Sequence, residues 1–531
     1  MSHFVRSREA LRLGLSAMIC GSMLAALPAA DAMAAGPVPN IPAEARKVTD
    51  EAKYRNSLWG LHVADAKTGE VLYDWNGDHR FLAASTTKLF AGAAALDAYG
   101  ADYRFTTPIY RTGSVDGAGT LTGNLVMVAS ADPTMGGRTT PQGTIDFTPI
   151  DHIYATALPL ATLTPENPLA GLDDLARQVA ASGIRRVAGD VIIDARLFPA
   201  MEKDGYIVSP VWINDNLIDM TVTPGAVGSK ASVVWRPQTA AFTIEADVTT
   251  VAAGQPLTVA VSSPRPGVIS LAGNIPASQG PLVQVYQVPD PPAFARTLLI
   301  EGLKRHGVAV DANPLGPNPD AALPAKGSYR ADSELAKLIS PPFSENIKLI
   351  FKTSMNQHAD LLIFLLALKK GETDFADGMT SIQGFLKKRG IDPGLVSLSD
   401  GRGNEYTDLF SPHTVTTLLR AEAASRDSKP YFHALPILGV DGTEKDTVPA
   451  TSRIAGKAFL KSGTTVAGDA MNSRALVMTR GLAGYMKGKS GRDLVVAIYV
   501  TDVPLGDDMV PQMLKVIEDQ GVILEYVYDR T

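Results

Sequence analysis

Ser85 and Lys88 stand three positions apart in the stretch AASTTKLF. Residues at that spacing are neighbours on a helix surface, so a hydroxyl and an amine would lie side by side. A lysine that has given up its proton can activate a serine as a nucleophile. The same spacing also fits a capping serine beside a solvated lysine, and a pattern this short decides nothing alone. Company decides it: serine–lysine acylating sites use S-x-x-K, an S-x-N and a K-[ST]-G, expected in that chain order.

S-x-x-K occurs once in this chain, at Ser85. S-x-N occurs at Ser344–Asn346, where it follows Pro341-Pro342 and starts a helix, and at Ser354–Asn356, directly before the apolar run HADLLIFLLALKK. The second has a fixed base from which side chains can project, so Ser354 and Asn356 are selected. K-[ST]-G occurs three times. Lys67 sits in a turn ahead of the serine, and Lys489 in a Lys/Gly-rich loop where a solvated lysine is expected. Lys461-Ser462-Gly463 lies between GKAFL and TTVAGDAM, as an edge strand beside a cleft would, with Gly463 letting a substrate backbone approach closely.

These residues need elements to hold them. Residues 57–76 read as two strands around the turn AKTG, and AGAAALDAYG continues the helix opened at Ser85, with Gly100 as its stop. From 101 to 288 the chain is mostly short β-type runs between Gly and Pro, interrupted by one helix, LAGLDDLARQVAASG. This predicts a β-rich body. Helical period returns at PDPPAFARTLLIEGLKRHGV, SELAKLI reads as a short helix, and IKLIFKTSMNQHADLLIFLLALKKG as one long buried helix. SRALVMTRGLAGYM and DLVVAIYV read as strands joined by a turn, and VPQMLKVIEDQG as a closing helix.

With 531 residues, 45% hydrophobic and 20% charged, the chain is long enough for several domains with a real core. A net charge of -6 without a basic run argues against nucleic acid. Arg6, Arg8 and Arg12 precede LGLSAMICGSMLAALPA and then small residues, which reads as residues 1–34 being a signal peptide cut after Ala34. Cys20 is the only cysteine, so the exported chain would carry no disulfide, Cys nucleophile or Cys-ligated metal.

Taken together, the sequence resembles the D-alanyl-D-alanine carboxypeptidase/endopeptidase family peptidase S13, among the penicillin-binding proteins. Beyond the three motifs, the likeness rests on TGEVLYDWN, SADPTM, GDVIIDARLF, SDGRGNEYTDLFSP and GVDGT, and on the long gap between Ser85 and Ser354. Met355 stands where Asp is common, and K-S-G replaces K-T-G. The resemblance implies an α/β fold: a penicillin-binding-protein/β-lactamase-like transpeptidase domain, an antiparallel sheet flanked by helices. That domain would comprise residues 35–96 plus 290–531, interrupted by a β-rich insertion of two small domains at 97–289.

It implies that Ser85 attacks the carbonyl between two D-alanines, Lys88 is the base, Ser354 relays the proton and Asn356 holds the peptide and Lys88. The N–H groups of Ser85 and Thr464 would bind the oxyanion. Lys461, with Ser462 and Thr464, would hold the terminal carboxylate. Asp132 either reaches a substrate amine or caps its turn before Pro133; His358 reads as a core residue, and Asp400 and Asp441 as turn-fixing acids. No metal or other cofactor is expected. Expected partners are peptidoglycan peptides, with β-lactams as inhibitors, in the periplasm; a homodimer is left open.

Two other classes fit less well. A class A β-lactamase needs a Glu followed four residues on by Asn, and none lies between Ser85 and Ser354. A non-catalytic wall sensor would be expected to have lost one of the three motifs.

Overall fold

Along DLVVAIYVTDVPL, alternate residues enter different cores. Leu494, Val496, Ile498 and Val500 pack into one apolar cluster, and Val495, Ala497 and Tyr499 into another. That is the period of a strand buried on both faces. The computed structural model describes residues 38–531; the expected signal segment with Cys20 lies outside the described residues.

The strand belongs to a five-stranded sheet built from β1 (Trp59–Asp65), β2 (Val71–Trp75), β3 (Ala458–Asp469), β4 (Arg474–Lys487) and β5 (Asp493–Leu505). Its order is β2-β1-β5-β4-β3, and every pairing is antiparallel. Trp59 pairs with Val500 and Asp65 with Leu494, so the two ends of the described chain close one sheet. One face carries α1 (Lys88–Tyr99), α2 (Phe343–Thr353), α3 (Asn356–Leu368) and α4 (Pro412–Ala423). The other is covered by α5 (Met509–Arg530) through Val516, Ile523, Leu524 and Val527. The antiparallel sheet flanked by helices is the expected fold class.

Two expectations differ from the structure. The run IKLIFKTSMNQHADLLIFLLALKKG is not one helix: the chain breaks at Ser354, whose backbone is left-handed (φ 60°, ψ 34°), and restarts at Asn356. The second half is central, with every residue from Gln357 to Ala367 buried. SELAKLI is not a helix either. Glu334–Ile339 is a strand pairing antiparallel with Thr106–Arg111, because the neighbouring edge supplies ladder partners that seven isolated residues cannot reveal.

Between α1 and α2 the chain forms several small sheets around a second core. It leaves and returns at one place: Ser344 N–H donates to Ala101 O (3.0 Å), Phe343 N–H to Tyr103 O (2.7 Å) and Ser340 N–H to Phe105 O (3.0 Å). Beside the boundary expected at 290, helix Pro291–Arg305 sends Phe294, Leu298 and Leu299, and strand Glu334–Ile339 sends Ala336, into this second core. Packing returns to the first core at Phe343.

Candidate active site

Ala84–Thr87 form one 3-10 turn that runs into α1. In a 3-10 turn, residues three apart eclipse, which stacks Ser85 and Lys88 more closely than an α-helix would. Lys88 is fully buried, and its Nζ makes three bonds: to Ser85 Oγ (2.8 Å), Asn356 Oδ1 (2.7 Å) and the Arg402 carbonyl (2.9 Å). Ser85 itself remains partly open. Beneath the turn runs the loop SDGRGN. Gly403 there has φ +86°, and a Cβ on it would fall 1.7 Å from the Ala84 carbonyl oxygen. Only glycine lets this loop come close enough for Arg402 to present its carbonyl to Lys88.

The break between α2 and α3 supplies the next two groups. The N–H groups of Ser354 and Met355 both bond to the Ile350 carbonyl, closing α2. Asn356 then opens α3 beside Lys88. Ser354 Oγ accepts from Lys461 Nζ at 2.9 Å. Lys461 projects from β3, the edge strand, and also donates to the Ser462 carbonyl (2.6 Å). A Cβ on Gly463 would lie 2.7 Å from Ala83 O and 2.9 Å from Ser85 N, so β3 passes against the backbone of the nucleophile turn. Ser462 Oγ is 3.3 Å from Thr443 Oγ1, and the exposed Thr464 accepts from Arg480 (3.1 Å). Ser85, Lys88, Ser354, Asn356 and Lys461 therefore form one continuous constellation, flanked by Ser462, Gly463 and Thr464.

Burial lowers both lysines. Lys88 is driven well below the ordinary lysine value by loss of water and then by the charge of Lys461, against the opposing pull of Asp400 and Asp360. Lys461 is brought down to about 7 by burial; Glu444 opposes the shift and Arg480 adds to it. An amine of reduced basicity in contact with a half-open hydroxyl is the arrangement that lets a serine attack a carbonyl.

Asp132 makes no hydrogen bond to this group. It is 2% exposed, and its carboxylate accepts from the Thr134 N–H (3.1 Å) and hydroxyl (3.3 Å), which is the turn-capping arrangement. His358 is fully buried and bonded to Asp215 (2.6 Å). Asp400 accepts from the N–H groups of Arg402 (3.0 Å) and Gly403 (2.5 Å). Asp441 accepts from Ile437 N–H (2.7 Å) and also pairs with Lys352. Lys489 is exposed in the turn between β4 and β5, and Lys67 in that between β1 and β2.

Several neighbours were not singled out from the sequence. Glu444 is fully buried behind Lys461, with bonds from Thr447 (2.7 Å), Thr443 (3.0 Å) and Arg480 (3.2 Å). The Arg402 loop is held by a hairpin of the insertion. Asp204 pairs with the Arg402 guanidinium, Lys203 with Asp400, and Tyr206 donates to Asp360 (2.7 Å), which in turn accepts from Gly401 N–H. The only sequence signal was the motif SDGRGN itself.

The chain is similar to known proteins over most of its length. The family model "D-Ala-D-Ala carboxypeptidase 3 (S13) family" matches residues 44–520. A D-alanyl-D-alanine carboxypeptidase of Actinomadura sp. (strain R39) is 26% identical over 470 residues, covering 84% of this chain and 78% of the relative. The D-alanyl-D-alanine carboxypeptidase DacB of Haemophilus influenzae is 24% identical, covering 84% and 86%. The crystal structure of penicillin binding protein 4 from that organism superposes with a TM-score of 0.67 at 20% identity, covering 91% of this chain and 99% of that one. The same protein is also known in complex with a β-lactam (TM-score 0.65). The chain belongs to the D-Ala-D-Ala carboxypeptidase 3 (S13) family and is a serine-type D-Ala-D-Ala carboxypeptidase.

Proposed function

We propose that this carboxypeptidase cleaves the D-alanyl-D-alanine bond of peptidoglycan stem peptides, and the equivalent bond in crosslinks, through an ester on Ser85. Ser85 Oγ attacks the carbonyl while its proton passes to the neutral Nζ of Lys88. The N–H groups of Ser85 and Thr464 hold the oxyanion; a donor in such a position contributes roughly 3–4 kcal/mol. The departing D-alanine amine takes its proton through Ser354 Oγ, leaving the acyl ester. Water then attacks the ester, giving its proton to the same base, and Ser85 is restored. Lys461, with the hydroxyls of Ser462 and Thr464, holds the terminal carboxylate, and Asn356 orients both Lys88 and the peptide.

The observation that carries this reading is the contact of a buried, weakly basic Lys88 with Ser85 at 2.8 Å. A β-lactam presents the same acyl carbon, and the β-lactam complex of the Haemophilus relative supports inhibition by acylation. The leader-like first 34 residues and the cell-wall chemistry support a periplasmic site of action, and no helix among the described residues is long and apolar enough to cross a membrane. The test is intact mass after benzylpenicillin. One adduct on the Ser85 peptide, with D-alanine release from an acyl-D-Ala-D-Ala peptide, is expected. An adduct on another serine, or none, refutes the assignment.

A further inference from the structure

Ser354 occupies a conformation that disfavours it. A non-glycine residue in the left-handed region is strained and persists where its surroundings over-determine it. Glycine would fit the end of α2 without strain, but it would supply no hydroxyl for Lys461.

What over-determines the break comes from the insertion. Tyr154 Oη donates to the Ser354 carbonyl at 2.5 Å. Met355, fully buried, packs with Leu349 of α2 and with Ile145, Phe147 and Ile153 of the insertion. Ile145 N–H donates to Glu345 at 2.8 Å, fixing the same segment to α2. One turn further along α3, His358 bonds Asp215, which belongs to a buried network with Arg138 and His152. The residue where Asp is common in this motif is thus an apolar plug, and the carbonyl before it is taken by a tyrosine.

We propose that segment 145–154 of the insertion is a positioning element for the proton relay. Tyr154, backed by the apolar seat of Met355, sets the backbone of Ser354 so that its hydroxyl meets Lys461. Neither residue touches substrate. Because Cβ direction follows backbone dihedrals, relaxing Ser354 toward the right-handed region would turn its hydroxyl away from Lys461 while leaving Ser85 and Lys88 in place. The consequence falls on proton delivery to the leaving amine and not on peptide binding. The inference rests on the relay role given to Ser354 above.

The experiment is a double-mutant cycle on the full chain, with Tyr154→Phe, Ser354→Ala and the pair. Tyr154→Phe keeps the ring and removes only the hydroxyl. It is expected to lower kcat for an acyl-D-Ala-D-Ala peptide about tenfold, the scale of one lost hydrogen bond, with KM within about twofold. In the Ser354→Ala background the same change should have no further effect on kcat. Full one-to-one labelling by benzylpenicillin at long times verifies that each variant is folded. Met355→Leu, of similar volume, should retain wild-type kcat, and Met355→Asp should reproduce the loss. Wild-type kcat in Tyr154→Phe, or an equal loss with and without the Ser354 hydroxyl, overturns the positioning role while the relay stands. Wild-type kcat in Ser354→Ala overturns both.

Discussion

Lys88 Nζ and Asn356 Oδ1 lie 2.7 Å apart across 268 residues of sequence. A neutral acceptor there orients the amine without holding its proton. Replacing it with a carboxylate, Asn356→Asp, keeps the shape but favours the ammonium form, since an opposite charge at this distance raises a lysine. The neutral fraction of Lys88 at pH 7 then falls. Expected is a loss of kcat/KM at pH 7 of about tenfold or more, with the deficit relative to wild type narrowing as pH rises. A pH–rate profile of Asn356→Asp parallel to wild type would contradict Lys88 as the base.

The four lysines of the motifs and their decoys separate in one assay. Lys461→Ala would remove the proposed charged partner of the substrate carboxylate; charge-assisted bonds of this type contribute roughly 1.5–3 kcal/mol, a loss of about ten- to a hundredfold in kcat/KM. Lys88→Ala should do worse, because no other amine contacts Ser85 among the described residues. Lys67→Ala and Lys489→Ala should stay near wild type, and Lys352→Met, outside the motifs, should lower Tm through the lost Asp441 pair rather than slow the chemistry. Loss in Lys489→Ala with wild-type activity in Lys461→Ala would transfer the third motif to the other K-S-G.

The constellation was legible because its chemistry sits in side chains at fixed local spacing, and decoys could be rejected by the elements around them. What escaped was carried by backbone or by distant pairing. The Arg402 carbonyl that accepts from Lys88 has no residue type to announce it. Glu444 lay next to the quoted GVDGT, but its meaning depends on Arg480 arriving from the next strand. The break at Ser354 has neither Gly nor Pro near it in the run, and its support comes from the contacts of segment 145–154. SELAKLI was too short for its period to distinguish helix from strand, and its partner Thr106–Arg111 is remote in sequence.

Gly403→Ala tests whether the loop beneath the nucleophile turn is a support. A methyl there would sit 1.7 Å from the Ala84 oxygen on a backbone of positive φ. Something must move, and the nearest movable part is the turn that carries Ser85. Slower acylation by benzylpenicillin, by about tenfold or more, and a lowered Tm are expected. Gly384→Ala, on an open helix face with nothing within 4 Å, should leave acylation unchanged and raise Tm slightly. Normal acylation in Gly403→Ala would show that the loop yields and the turn does not depend on it.

Glu444 and Lys461 are expected to set the alkaline limit of the rate. In the free enzyme burial brings Lys461 down to about 7, and in the proposed mechanism it is the cation that would receive the substrate carboxylate. Its charged fraction falls as pH rises through 7, so kcat/KM for a peptide with a free C-terminus should decline above that pH. A peptide blocked as the C-terminal amide should lack this limb, although it starts from a lower rate. Glu444 opposes the drop in Lys461, so Glu444→Gln removes the main force holding the charge on. The limb should then move to lower pH, with KM rising more than kcat falls. Arg480 would lose its buried carboxylate partner at the same time; breaking such a pair costs about 3–5 kcal/mol, so Tm should fall as well. The shift of the limb distinguishes an electrostatic role from a merely structural one. An unmoved alkaline limb in folded Glu444→Gln would mean that another group limits the rate above neutrality.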